Sequence, residues 1–246
     1  MKKQQRYMIV SMHRSGSSLL SALLQNSLNN KWSAKDSDAF NISGYNESQE
    51  LIKLNDSVFN AQGLNWFNQL NELPVSVKKT VENGYQELIA NLKDELVLKD
   101  PRVLNVLAKL NFLDLDIKFI LISRDPAEVF RSIKRRNGFE DEVIHAYIKQ
   151  SLIDQKIIYE RYSPVEINYL DLLDANKSKD FFVNTLDINY QPLTDLSFVN
   201  KRKIYLSQIR QSFINDIKGF NFSKITKKNI INRINRYYYL IKSIIK

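Results

Sequence analysis

Three short runs of the chain are apolar without alternation, and the stretches between them repeat their apolar positions every three or four residues. The runs are RYMIVSM (6–12), ELVLKD (95–100) and IKFILIS (117–123), with VEINY (165–169) as a fourth strand candidate. Continuous apolar character marks strands covered on both faces, as in a parallel sheet. Helical spacing is found in SSLLSALLQNSL (17–28), ESQELIKLNDSVFNAQ (47–62), SVKKTVENGYQELIANLKD (76–94) and PAEVFRSIKRRN (126–137), and a longer helix is predicted over 140–162. Strands alternating with helices predict an α/β fold: a doubly wound, mainly parallel sheet flanked by helices, with ligands meeting the carboxyl ends of the strands. No internal repeat is evident, and no linker interrupts the pattern before about residue 190.

Charge divides the chain. Residues 201–246 hold twelve basic side chains against one acid, Asp216, whereas residues 1–200 hold 24 basic and 26 acidic side chains. The expected organisation is therefore an α/β domain over 1–200 and a basic helical extension over 201–246 packed on the same domain. Such an asymmetry points the C-terminal part toward an anionic ligand or surface. Within it, Ile230, Ile234, Tyr237, Ile241 and Ile244 fall near one helical stripe. That pattern suits a helix docked on the domain, or one lying on an anionic membrane. The N-terminal apolar run is too short for a secretory signal, and no run approaches the ~20 residues of a membrane span. These features lead us to expect a cytoplasmic protein. The absence of cysteine excludes disulfides, thiolate metal sites and a cysteine nucleophile. With only two histidines, His13 and His145, a zinc site is not expected.

The chemistry begins at HRSGSS (13–18), between the first strand and the first helix. A strand, a glycine-containing turn and a helix bring backbone N–H groups and the positive end of a helix dipole to one point, which attracts an anion. Serines 15, 17 and 18 add hydroxyls, and Arg14 adds a planar cation suited to phosphate-type oxygens. The same stretch also reads as a serine-rich helix N-cap. It lacks the G-x-x-x-x-G-K-[ST] spacing of a nucleoside triphosphatase loop. In LVLKDPRVL (96–104), Lys99 follows the second strand and should share the sheet edge with the serine turn, while Pro101 can open the next helix. In SRDPAEVFRSIKRRNGF (123–139), Arg124 ends the third strand and Ser132 lies about two helical turns on, so the two can converge on a second anion some distance from the first.

Taken together, RSGSSLL, LKDPRVL and SRDPAEVFRSIKRRNGF resemble the sulfotransferase superfamily that uses 3′-phosphoadenosine 5′-phosphosulfate, with motifs closest to the bacterial enzymes and the tyrosylprotein sulfotransferases. GYNESQELIKLNDSVFNAQGLNW (44–66) and INYLDLLDANKSKDFFVNTLDINY (167–190) extend the resemblance over about residues 6–190. It implies a P-loop-like fold in which Arg14, Ser15, Gly16, Ser17 and Ser18 bind the 5′-phosphosulfate and Arg124 and Ser132 bind the 3′-phosphate. It also implies that Lys99 stabilises charge on the transferring group, and that Glu47 is the catalytic base, with Glu50 as substitute. No metal is implied. The acceptor would be a hydroxyl, on a carbohydrate or lipid-linked glycan. The chain departs from the family pattern at His13, where a proline is common, and at Leu170, where an acid is usual. No match is found for the family's C-terminal glycine-rich loop. Histidine is a frequent general base, so His13 and His145 stay as alternatives, His145 with a partly buried packing role as its plainer reading. A kinase with a degenerate phosphate loop, and a polyanion-binding module, are the rival functions.

Overall fold

A computed structural model describes residues 5–30, 47–92 and 94–193. The basic extension, with the helix expected over 224–246, lies outside the described residues, as does most of the loop before Glu47. Four strands form one sheet: β1 (Tyr7–Val10), β2 (Val97–Lys99), β3 (Lys118–Ser123) and β4 (Val165–Asn168). Their order is β2-β1-β3-β4 and every neighbouring pair is parallel. α1 (Ser17–Ser27), α2 (Gln49–Ala61) and α3 (Val75–Asn91) come between β1 and β2, and α4 (Val103–Lys109) between β2 and β3. α5 (Pro126–Asn137) and α6 (Asp141–Tyr162) link β3 to β4. α7 (Tyr169–Leu173), α8 (Ala175–Asp180) and a π-helical turn, Phe181–Thr185, follow β4.

The strands read as apolar on both faces because both faces are covered. Tyr7 and Ile9 of β1 pack with Leu20, Leu24, Phe181 and Phe182 on one side. Met8 and Val10, pointing the opposite way in the pleat, pack with side chains of α2 to α6 on the other. β1 lies at the centre: the chain moves to one side for β2, then back past β1 to β3. Connections diverge at the carboxyl ends of β1 and β3, which is where ligands gather in sheets of this topology.

Local signals set the helix ends that matter. The carboxylate of Asp125 accepts hydrogen bonds from the amides of Ala127 and Glu128, Pro126 opens α5, and Gly138 closes it at φ 65°. α5 is thus fixed at both ends, and with it Arg124 and Ser132. The helix after β2 differs from expectation. Pro101 does not open it, because Asp100 first folds back on Arg102, accepting from its backbone N–H at 3.2 Å and its Nε at 2.9 Å. A turn closed by Val103 N–H and the Asp100 carbonyl precedes α4, which starts at Val103.

Candidate active site

β1 ends in a loop whose backbone is arranged for close approach. Arg14 and Gly16 both adopt the left-handed conformation, at φ 70° and φ 96°. For an arginine that conformation costs ~1 kcal/mol or more, so the surrounding contacts must hold it. Gly16 has a second constraint: a Cβ there would overlap the ring of Tyr169, which lies against it. α1 begins at this point with no side chain capping its first turn. Amides in that position lack partners within the helix and suit an anion.

Side chains from three strand ends meet beside this loop. Arg14 Nε donates to Ser132 Oγ at 3.0 Å, and an Nη of Arg124 donates to the Arg14 carbonyl at 3.0 Å. Arg124 also pairs with Glu128 at 3.2 Å and lies over the Tyr169 ring, 4.3 Å from its centroid. Its Nε is buried and without a hydrogen-bond partner. The residues assigned from sequence to two anion positions thus form one connected cluster, since Arg14 reaches Ser132 and Arg124 reaches Arg14. Ser132 is buried and takes part through its bond to Arg14. Ser15 is also buried, and its hydroxyl has no partner and does not reach the cleft wall. Ser17 and Ser18 do line it.

Lys99, the last residue of β2, is almost wholly buried, and its ammonium donates to Glu47 Oε1 at 2.6 Å and to Ser18 Oγ at 3.4 Å. Burial lowers the Lys99 pKa, while the Glu47 carboxylate opposes that shift. Glu47 is placed by the neighbouring backbone, where Ser48 N–H donates to the Lys99 carbonyl at 3.0 Å. Glu50 sits one turn on, exposed, and pairs with Lys53 at 2.6 Å, away from the cleft. His145 is exposed and stacks on Phe130, with centroids 4.7 Å apart, so it is not the partly buried residue expected.

These groups enclose a cleft of about 650 Å³. Among the described residues its walls carry five cations, Arg14, Lys99, Arg102, Arg124 and Arg136, and one carboxylate, Glu47. Like charges held this close in a concave site focus a positive potential. His13 senses it: burial pushes its imidazole well below the usual range, and Arg102, Lys99, Arg136 and Arg14 push the same way. A neutral His13 with so little proton affinity is a poor general base near neutral pH. It stacks on Trp66 at 4.2 Å, and its backbone N–H donates to the Tyr147 hydroxyl at 2.9 Å.

The cleft residues not singled out from sequence include Trp66, Arg102, Arg136 and Tyr169. Arg102 and Arg136 carried a signal, since each stands within a few residues of Lys99 or Ser132 in the motifs quoted above. Trp66 and Tyr169 stood in the two stretches that extend the resemblance, with nothing local to mark them as cleft residues. Among the described residues no cluster of His, Asp and Glu could hold a metal ion, and no helix is long and apolar enough to cross a membrane.

The fold and the cleft define an α/β protein with a positively charged cleft at the carboxyl ends of β1, β2 and β3. A family model described as "Sulfotransferase domain" matches residues 4–163. The chain belongs to that sulfotransferase family, and sulfuryl transfer is its class of chemistry. Among solved structures, a protein from Eubacterium ventriosum ATCC 27560 described as uncharacterized matches with a TM-score of 0.40 at 15% identity, over 75% of this chain and 99% of its own. No curated protein matches.

Proposed function

We propose that the cleft binds 3′-phosphoadenosine 5′-phosphosulfate and passes its sulfuryl group to a hydroxyl on a carbohydrate acceptor. The observation that supports this most strongly is the meeting of Arg14, Arg124 and Ser132 beside the buried Lys99–Glu47 pair, within one cleft. A donor with anionic groups at both ends of an adenosine needs two adjoining cationic positions. The loop of residues 14–18 with the start of α1 suits one, and Arg124 suits the other. Gly16 adds support, because without a Cβ it lets the Tyr169 ring, over which Arg124 lies, pack against the loop.

The residues divide the work as follows. Arg14, Lys99 and the first amides of α1 counter negative charge that grows on the departing 5′-phosphate oxygens as the S–O bond breaks. Glu47 accepts the proton that the acceptor hydroxyl loses as its oxygen bonds to sulfur. Lys99 holds Glu47 in place beforehand. Because the ammonium is buried, its interaction with a nearby anion is stronger than it would be in water. His13 stays neutral and takes no proton.

Calorimetric titration tests the donor. Adenosine 3′,5′-bisphosphate should bind at least roughly tenfold more tightly than ATP, the worth of one charged hydrogen bond at the 3′ position. Tighter binding of ATP, enhanced by magnesium, would favour a kinase and overturn the reading. Mass-spectrometric screening of hydroxyl acceptors with the sulfated donor then identifies the product.

A further inference from the structure

We infer that the acceptor carries its own anionic group beside the hydroxyl that is sulfated, a carboxylate or sulfate ester on a sugar ring, and that Arg102 recognises it. This rests on the sulfuryl-transfer reading and names the acceptor class within it. Arg102 lines the cleft, yet it belongs to none of the elements that make the donor's two positions. Its surroundings place it at the acceptor end. It follows Lys99, the partner of Glu47, by three residues in the β2–α4 turn, and Glu47, the carboxylate assigned to take the acceptor's proton, lines the same cleft with His13 and Trp66.

The guanidinium is held rigidly. Asp100, fully buried, accepts from Nε at 2.9 and 3.0 Å, and Asp56 pairs with one Nη. Asp100 is fixed in turn by Asn55, whose Nδ2 donates to it at 2.7 Å, and Asn55 accepts from the Tyr85 hydroxyl at 2.6 Å. Asn55 and Tyr85 are themselves fully buried. A network of this size anchors one arginine from α2, α3 and the β2–α4 turn. Among the described residues, the other Nη makes no hydrogen bond. Arg102 lines the cleft with its guanidinium already held by these bonds, so little freedom is lost when it pairs with an oxyanion.

Two neighbours complete the description of the ligand. Arg136, in the last turn of α5, adds a second cation to the wall, so the anion would be met from two elements. Trp66 is half-buried at the wall, with the His13 ring 4.2 Å from it, and contributes apolar surface there. A pyranose ring has CH-rich faces and a rim of hydroxyls. A uronic acid or sulfated sugar therefore matches Trp66, Glu47 and Arg102 at once, which a neutral phenol or alcohol does not.

The test uses the full-length protein saturated with adenosine 3′,5′-bisphosphate and two probes that differ only in charge, methyl β-glucuronide and methyl β-glucoside. Calorimetry or ligand-observed NMR should show the glucuronide binding roughly tenfold more tightly, as expected for a charge-assisted hydrogen bond. Arg102→Gln should abolish the preference and leave bisphosphate affinity within about twofold of the original, whereas loss of an acceptor-side cation through a general field would weaken both. Should Arg102→Gln fail to fold because Asp100 is left buried alone, the double variant Arg102→Gln with Asp100→Asn, which removes that buried charge, decides, and it should abolish the preference. Equal binding of the two probes by the unaltered protein, or a preference that survives in the deciding variant, overturns the assignment. If the bisphosphate itself does not bind, the donor reading fails first, and the two failures are told apart by that measurement.

Discussion

Replacing Glu47 by glutamine removes one charge from the cleft while keeping an oxygen that can accept from Lys99. At 2.6 Å and an effective dielectric of about 20, the raw attraction between the two charges is about 6 kcal/mol. Much of that offsets the desolvation of Lys99, and removing one partner of a buried pair typically costs ~3–5 kcal/mol. Here the amide oxygen remains, and the Glu47 side chain is 19% exposed against 2% for Lys99, so about 2–3 kcal/mol is the reasonable loss. For a domain of this size that lowers the melting temperature by roughly 4–12 °C. The pH dependence follows from the buried lysine. Its folded pKa is already lowered by burial, and losing Glu47 lowers it further. A protonated Lys99 then destabilises the fold below its folded pKa, and the penalty is relieved as pH rises toward the unfolded value of about 10.4. The melting deficit of the variant should therefore shrink on going from neutral to alkaline buffer.

Function should move in two directions at once. Turnover should fall by about 10²–10⁴-fold if Glu47 is the base. Adenosine 3′,5′-bisphosphate should bind as tightly as before or severalfold more tightly, because a negative charge has left a cleft that receives an anion. Calorimetry with the bisphosphate, and turnover measured by mass spectrometry of the sulfated product, separate the two effects. Turnover within about threefold of the original would refute the assignment of the base, since even modest general-base catalysis contributes more than that. Bisphosphate binding weakened by more than about tenfold would refute the electrostatic argument.

Gly16→Ala should lose most bisphosphate affinity, since the methyl group would have to displace Tyr169 and the residue would keep a φ of 96° at a cost of about 1–2 kcal/mol; calorimetry and thermal denaturation check it, and unchanged affinity would refute the close fit. Arg124→Ala should weaken the bisphosphate by about 10–100-fold, from loss of a charged hydrogen bond, with a smaller effect on adenosine 5′-monophosphate measured in the same titration. An equal effect on both would remove Arg124 from the 3′ position. Acidification should destabilise the protein below about pH 6.5, because the unfolded chain can protonate His13 while the folded cleft disfavours it. Chemical denaturation at pH 5 and 7 should show that loss shrinking in His13→Gln.

The sheet was legible in the chain because its evidence is local. Unbroken apolar runs at 7–10, 96–98 and 119–122 mark doubly covered strands, and Asp125, Pro126 and Gly138 state where α5 starts and stops. The residue types of the site, Arg14, Lys99, Arg124, Ser132 and Glu47, were readable for the same reason, each being placed by the end of a strand or by a quoted motif. What they do to one another was not. Ser132 meets Arg14 across 118 positions and Lys99 meets Glu47 across 52, distances set by strand order and crossovers, which leave no mark in any short window. The burial of the Ser15 hydroxyl, the ring of Tyr169 against Gly16 and the anchoring of Arg102 by Asp100 and Asn55 arise the same way. Local pattern fixes which groups arrive at the sheet edge. Only packing between distant elements fixes which of them face the cleft, and which are consumed in holding the others still.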